Sequence, residues 1–550
     1  MKKPKKHRKP PSGKARAQKR KKAASVVRNI VEGMDQDTLA QLRQVLQTEM
    51  DFAGDPFDDE DPVALFAAYI DACAWDDPEE DDENDLLADL VVVLTALNIK
   101  ANGGDRKTRV EIETILDLLD EAIENGRLRG VDLMMTLKAF AEAGWAIPER
   151  HKQALAAALK AAPGDPNGPS PSASDLVSTL QELANEVSQN PFEIHEHLNA
   201  LTAALPAEAS VSMLSELVGA SGTPALAQAV AGFALHPDAG VARAMCEALA
   251  ASAARTPVAS MQIERLVRMR PWLPAPRQAP LDAAIRAMRL NALPPVKGDL
   301  PKILKCYSSV CDGSGTSSLF VTQTTGARNY QLATVLMKVN GAADVLVLRE
   351  LPKSAIDEMV RGMKSAMAVA EIDLAGVARM LGLAIGDNFA SGNPPPFKLV
   401  EMAESLGLGP IQPDHSTPME IIAALLADLP PEQTNAAATA RAHADMLDNE
   451  FADHWFEASE ALDDLLFPIK GSERRVAKLM KDHLPDRRLF WVRQCAISAL
   501  ALHFDQAKPN ARWKQLALVG RDIASGAPLD QIPLMRQIAE VSVEAFESQP

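Results

Sequence analysis

Four groups of side chains in this sequence carry types and spacings that could do chemistry. The first is the loop Asp312-Gly313-Ser314-Gly315-Thr316-Ser317-Ser318, where backbone N–H groups between glycines and hydroxyls could cradle a phosphate. It lacks the lysine of a P-loop and matches neither G-x-G-x-x-G nor G-x-S-x-G; a tight hairpin accounts for the same residues. The second is Cys306 with Cys311. A closed zinc site needs four ligands, and no histidine or second cysteine pair lies near them, so they read as core or strand cysteines. The third is His443, Glu450, His454 and Glu457, spaced to share one face of a helix over 435–467. That face offers cation ligands but matches neither H-E-x-x-H nor the paired Glu-x-x-His of di-iron bundles, and it reads as a solvated acidic face. His195 and His197 point apart on a helix and read as surface groups. The fourth is Arg255, Arg265, Arg268, Arg270, Arg277, Arg286 and Arg289 beside Trp272. Such a basic ridge suits an acidic peptide or nucleic acid, or it neutralises the acidic helices around it. No residue is assigned to catalysis, to a metal or to a cofactor.

Charge is segregated along the chain. The 550 residues carry a formal net charge of −17. Residues 1–22 hold twelve cations and no acid: Lys2, Lys3, Lys5, Lys6, Arg8, Lys9, Lys14, Arg16, Lys19, Arg20, Lys21 and Lys22. The remainder therefore stands at −29, which repels nucleic acid on average. A tail with Pro4, Pro10, Pro11 and Gly13 and almost no apolar residues cannot offset its ordering entropy, so it is expected to be a disordered polybasic arm. Such an arm binds phosphate backbones by releasing counterions, without sequence preference. Residues 51–85 hold fifteen acids and no lysine or arginine, and could pair with the arm, but they contain no EF-hand loop.

No apolar core follows the basic N-terminus as in a signal peptide; Arg28 and Glu32 interrupt the candidate at 23–34. The apolar stretch 86–99 contains Asp89 and is short of a membrane span. Five scattered cysteines, an odd count, suit a reducing compartment. The expectation is a soluble cytoplasmic protein, or a nuclear one in a eukaryote, with no membrane contact.

These groups need elements to hold them. Few aromatics and much alanine and leucine favour close-packed helices. The pattern reads as a helix plus acidic segment over 23–85 and a helical N-terminal domain over 86–162. A linker over 163–174 follows, with four prolines and two glycines. Short helices then run over 175–302, broken at Asn190-Pro191, Pro206, 219–224, His236-Pro237, Thr256-Pro257 and 271–280. A small β insert over 303–349 begins with a hairpin of 303–310 and 317–324; 330–339 reads as strand or helix before Asn340-Gly341. A helical C-terminal domain fills 350–550.

Short alanine-rich helices are marginal singly and must stack on neighbours. Within them His236-Pro237-Asp238-Ala239-Gly240-Val241-Ala242-Arg243 and the small residues leading to Leu249 resemble the second helix of HEAT-type repeats. Here Ala242 separates the usual adjacent valine and arginine. Pro485-Asp486 with Val492-Arg493 and on to Leu500 is a second partial copy. The two cover about thirty residues. The resemblance implies a mainly α fold, a HEAT-like α-solenoid carrying the β insert. On that basis the chain is expected to be a non-enzymatic scaffold for a protein partner, with the arm on nucleic acid or another polyanion. The alternatives are a nucleic-acid binder using an arginine-rich groove at 255–289, and a metal-dependent enzyme.

Overall fold

Helices in this chain start and stop where the sequence places prolines, glycines and short polar caps. The computed structural model describes residues 61–73, 80–102, 106–161, 190–219, 224–295, 300–326, 328–446, 455–506 and 512–548. All lie in the unit Pro56–Pro550. The arm 1–22, the helix expected within 23–50, the acids of 51–60 and 76–79, and the linker 163–174 lie outside the described residues.

The described residues form twenty-one helices and one antiparallel sheet, and no helix among them is long and apolar enough to cross a membrane. Helices α1 (Pro62–Cys73), α2 (Glu80–Asn102), α3 (Arg106–Glu124), α4 (Gly130–Glu142) and α5 (Glu149–Ala161) gather around Phe66, Tyr69, Phe140 and Trp145. Buried polar tips are satisfied there: Tyr69 Oη meets Thr136 Oγ1 at 3.1 Å, and Trp145 Nε1 donates to the Leu94 carbonyl at 2.9 Å.

Helix α6 (Pro191–Ala203) is capped by Asn190, whose side chain accepts from Phe192 N, with proline at the first helical position. Then come α7 (Ala207–Gly219), α8 (Pro224–Ala231), α9 (Ala239–Ala253), α10 (Ser260–Met269) and α11 (Ala275–Leu290). Asp238 caps α9 by accepting from Val241 N at 2.9 Å. Helix α9 packs between α7 and α11, while α8 touches α10. The break expected over 271–280 is shorter than that. Helix α11 runs through Pro280, whose missing N–H would have faced the carbonyl of exposed Pro276, and water can satisfy that carbonyl.

The sheet is β1 (Lys302–Ser309), β2 (Ser317–Thr324), β3 (Tyr330–Lys338), β4 (Gly341–Leu351) and β5 (Val369–Ile372), in the order β4-β3-β2-β1-β5. Residues 330–338 are strand, which settles the helix alternative. Strand β5 falls inside the stretch assigned to the C-terminal helices, and β4 runs past 349, so the β region is larger than the expected 303–349. Pairing of Cys306 with Ile372 closes that edge after the crossover helix α12 (Lys353–Ala366). At the β3–β4 turn Gly341 has φ +113° and rests on buried Asn388. The Asn388 amide accepts from Ala342 N at 2.9 Å and donates to the Ala342 and Asn340 carbonyls at 3.1 and 3.4 Å.

Helices α13 (Leu374–Ser391), α14 (Lys398–Ser405), α15 (Pro418–Ala427) and α16 (Ala436–Met446) follow. Then come α17 (Glu460–Leu466), α18 (Ser472–Asp482), α19 (Arg488–His503), α20 (Arg512–Ala524) and α21 (Pro533–Ser548). Thr417 and Glu420 form a capping box at the start of α15. Helix α19 is apolar nearly all round, so it is buried nearly all round, between α15, α20 and the sheet. The single helix expected over 435–467 is a correction. Helix α16 is described as far as Met446, and Trp455–Ser459 is not helical before Ser459 caps α17.

Candidate binding groove

Helix α10 is strongly amphipathic: Ile263, Leu266 and Met269 enter the core while Met261 and Glu264 face solvent. Beside it, α11 ends in Arg286, Arg289 and Leu290, all exposed. The chain then runs back along α10. Val258 N donates to the Asn291 carbonyl at 3.0 Å and Leu293 N to the Val258 carbonyl at 2.8 Å, pinning 291–293 in a short parallel bridge. The loop after α14 supplies the far wall, Pro410. Together they enclose an open groove of about 400 Å³ lined by Ser260, Ile263, Glu264, Val267, Arg268, Arg289, Ala292 and Pro410. Apolar side chains continue past its end: Leu290 is 86% exposed, Leu293 48% and Leu300 64%. Isolated exposed leucines need no explanation; three of them close in sequence to the groove residues Arg289 and Ala292 make a candidate surface.

The expected basic ridge divides in two. Arg265 is buried and turned inward. Its guanidinium grips Glu404 at 3.0–3.2 Å, donates to Gln228 Oε1 at 2.7 Å and lies 4.4 Å over the Phe192 ring. Arg268 donates to the Leu408 carbonyl. Arg270 makes a two-pronged pair with Asp282 at 2.6 and 2.9 Å, and Arg277 donates to the His236 carbonyl at 2.5 Å. Arg255, Arg286 and Arg289 are exposed and make no hydrogen bond or ion pair among the described residues. So the ridge is not one surface: Arg268 and Arg289 meet at the groove, Arg286 stands one turn behind on α11, and Arg265, Arg270 and Arg277 hold the fold together. Trp272 is buried, with Nε1 donating to the Ile411 carbonyl at 3.0 Å.

The other sequence candidates take structural places. Asp312 Oδ1 accepts from Ser314 N, Ser314 Oγ and Thr316 N at 2.8–2.9 Å, an Asx-type turn that closes the hairpin, and Gly315 with φ +86° sits against Gln494 and Phe490. Cys306 and Cys311 are buried, and burial pushes both thiols up to about 11. His443 Nε2 lies 2.8 Å from Asp522, and Glu457 faces Arg487 and Trp491, so these two do not share a face; Glu450 and His454 lie outside the described residues. Among the described residues no group of three or more histidines, cysteines and carboxylates could hold a metal ion.

His195 departs from the surface expectation. It is wedged between Phe233 and Phe397 with Nδ1 2.9 Å from the Ala229 carbonyl, and burial holds its pKa down to about 4. A Cβ on Gly232 would collide with it, which explains the glycine there. His197 is exposed, 3.7 Å from Glu142. Around His195, helix α6 is seamed to the sheet and α14 by charge. Glu196 pairs with Lys398, Arg349 with Glu193 and Glu401, and Asn190 donates to Glu401 at 3.2 Å. Burial raises the pKa of Glu196 to about 7 and also raises those of Asp344 and Glu401.

Sequence reasoning missed the apolar groove floor. Its only local trace is Ile263 with Val267, one turn apart on α10, followed by the unburied leucines after Arg289. Pro410 comes from far along the chain, and nothing in the local sequence announces it.

Two stretches of the chain match described protein families. Residues 206–291, which include α7–α11 and most of the groove, match the Y4lR second domain, and residues 419–547 match the Y4lR C-terminal helical domain. The chain is also similar to the uncharacterized protein y4lR of Sinorhizobium fredii, 27% identical over 398 residues that span 68% of this chain and 73% of that protein. No solved structure matches.

Proposed function

We propose that the chain is a non-enzymatic interaction scaffold acting in the cytoplasm. Its short helices form a HEAT-like stack that presents the α10–α11 groove to a protein partner, and the arm of 1–22 adds electrostatic anchoring to nucleic acid or another polyanion. The packing of α9 between α7 and α11, with α8 on α10, supports the solenoid reading for that stretch, because alternate helices stack in rows in such arrays. The single observation carrying the reading is the groove: an open apolar floor edged by Arg289, which has no partner among the described residues, and continued by exposed leucines.

The test is nuclease-treated affinity capture with the full chain, the chain lacking 1–22, and the full chain carrying Val267→Asp. The scaffold reading expects a protein partner that survives removal of the arm and is lost with Val267→Asp. Capture that depends only on the arm, or that nuclease abolishes, overturns it. The nucleic-acid reading keeps a foothold in Arg255, Arg286 and Arg289, which are exposed and make no ion pair among the described residues, Arg286 sharing only the field of Asp282. The charge of −29 outside the arm opposes it. Binding of an oligonucleotide that falls steeply with salt after the arm is removed would favour that reading instead.

A further inference from the structure

The chemistry of the groove narrows its occupant. The floor is aliphatic: Ile263, Val267, Ala292 and Pro410. The rim is cationic. Among the described residues Arg289 is unpaired, Arg268 is bonded to a backbone carbonyl and not to a carboxylate, and Glu264 is the one acid lining the groove. Arg286 adds a further cation one helical turn from Arg289 and Leu290. This excess stands out in a chain whose residues beyond 22 are strongly acidic overall.

We propose that the groove binds a short peptide segment in which an apolar side chain is flanked by carboxylates, and this rests on the scaffold reading. The apolar side chain would fill the floor. The carboxylates would meet Arg268, Arg286 and Arg289, gaining charge-assisted hydrogen bonds of the kind guanidinium forks make. A phosphate backbone would use the arginines and leave the floor and Leu290 and Leu293 in water. A purely apolar ligand would leave the arginines unused. An acidic-apolar peptide uses both.

The experiment is fluorescence anisotropy on the full chain with a short fluorescein-labelled peptide in which leucines alternate with aspartates. Three controls accompany it: the same peptide with alanine for leucine, the same with lysine for aspartate, and a single-stranded oligonucleotide. The alanine version reports the attraction of its carboxylates to the basic arm and the groove arginines without an apolar anchor. The leucine peptide should bind roughly tenfold tighter than the alanine version. Val267→Asp should erase that difference, and the double variant Arg286→Ala with Arg289→Ala, both at exposed positions without an ion pair among the described residues, should weaken the leucine peptide roughly fivefold. Equal binding of leucine and alanine peptides, or of aspartate and lysine peptides, overturns the proposal. So does an oligonucleotide whose binding alone responds to the arginine pair. If the peptides fail while a partner captured from cells still depends on Val267, the peptide class is wrong and the scaffold reading stands.

Discussion

Glu457 gives the sharpest test of how the C-terminal helices are held. Its carboxylate is 6% exposed, accepts from Trp491 Nε1 at 2.9 Å and from Arg487 Nε at 2.9 and 3.1 Å, and lies 3.6 Å from His483 Nε2. Its own N–H donates to Ser542 Oγ at 2.8 Å, tying the non-helical segment to α21. Burial pushes its pKa up, but the His483 and Arg487 bonds outweigh that and the net shift is downward, so the group stays ionised. Glu457→Ala strands the Trp491 N–H in a dry site and unpairs Arg487. Breaking a buried pair costs about 3–5 kcal/mol, yet Arg487 is 37% exposed and can regain water, which places the loss near the lower end, about 3 kcal/mol. Glu457→Gln keeps an acceptor for Trp491 and loses only the charge, for about 1.5 kcal/mol.

Because the folded pKa lies below the ordinary glutamate value of 4.5, the stabilisation is complete above that pH and is lost as pH falls through the folded pKa. The gap between wild type and Glu457→Gln should therefore close in acid. Urea unfolding read by tryptophan fluorescence is the assay, since Trp491 is bonded to the carboxylate and Trp455 lies tilted against it with ring centroids 5.6 Å apart. Equal losses for the alanine and glutamine variants at pH 7 would refute the hydrogen-bond accounting. A gap unchanged in acid would refute the charge.

Asn388→Ala removes the bonds on which the Gly341 turn rests and should cost about 2 kcal/mol, with amide exchange at Ala342 accelerating first; unchanged protection there would count against it. Cys246, Cys306, Cys311 and Cys495 are buried with raised thiol pKa values, so a thiol reagent should modify them only on unfolding, leaving Cys73 as the fastest of the five in native protein. The neighbours His195 and Glu196 predict opposing pH slopes. Lowering pH from 6.5 toward 4 costs the fold because His195 is buried neutral, whereas lowering it from 7 toward 4.5 favours the fold because protonated Glu196 sheds its burial penalty. Because half-buried His236 also loses stability on acidification, the comparison is with a second variant. Between pH 7 and 5 wild type should gain stability relative to Glu196→Gln, and an identical pH slope for the two would show that Glu196 is not destabilised by burial.

What the sequence disclosed follows the range of the interactions involved. Caps and breaks are local, so Asn190-Pro191, Asp238 and the 311–315 turn were legible from residue type alone. The helical reading of 435–467 holds at its two ends and fails at 455–459, because nothing local distinguishes an apolar stripe packed as helix from Trp455 and Glu457 held out of a helix by bonds to Cys311, Ser542 and Trp491. Strand β5 is four residues long and is defined by pairing with β1, a partner its own sequence does not name. His195 reads as polar and therefore surface. Its burial comes from Phe233 and Phe397, brought in by other elements.

The same distinction decides what the arginines do. Arg265 finds Glu404, Arg268 finds the Leu408 carbonyl and Trp272 finds the Ile411 carbonyl, three bonds in a row that fasten α10 and the turn after it to α14 and its following loop. That seam sets Pro410 opposite Ile263 and Val267, so the groove exists only where the stretch matching the Y4lR second domain meets a part of the chain that neither matched stretch covers. Charge alone cannot separate arginines that build such a wall from those that face a ligand; the partner can. Arg265 has a carboxylate of its own chain, and replacing it would spread the groove walls and lower stability. Arg289 makes no ion pair among the described residues, and Arg286 forms none there either although it lies in the field of Asp282 one turn away, so replacing them should cost the fold little and chiefly alter what it binds.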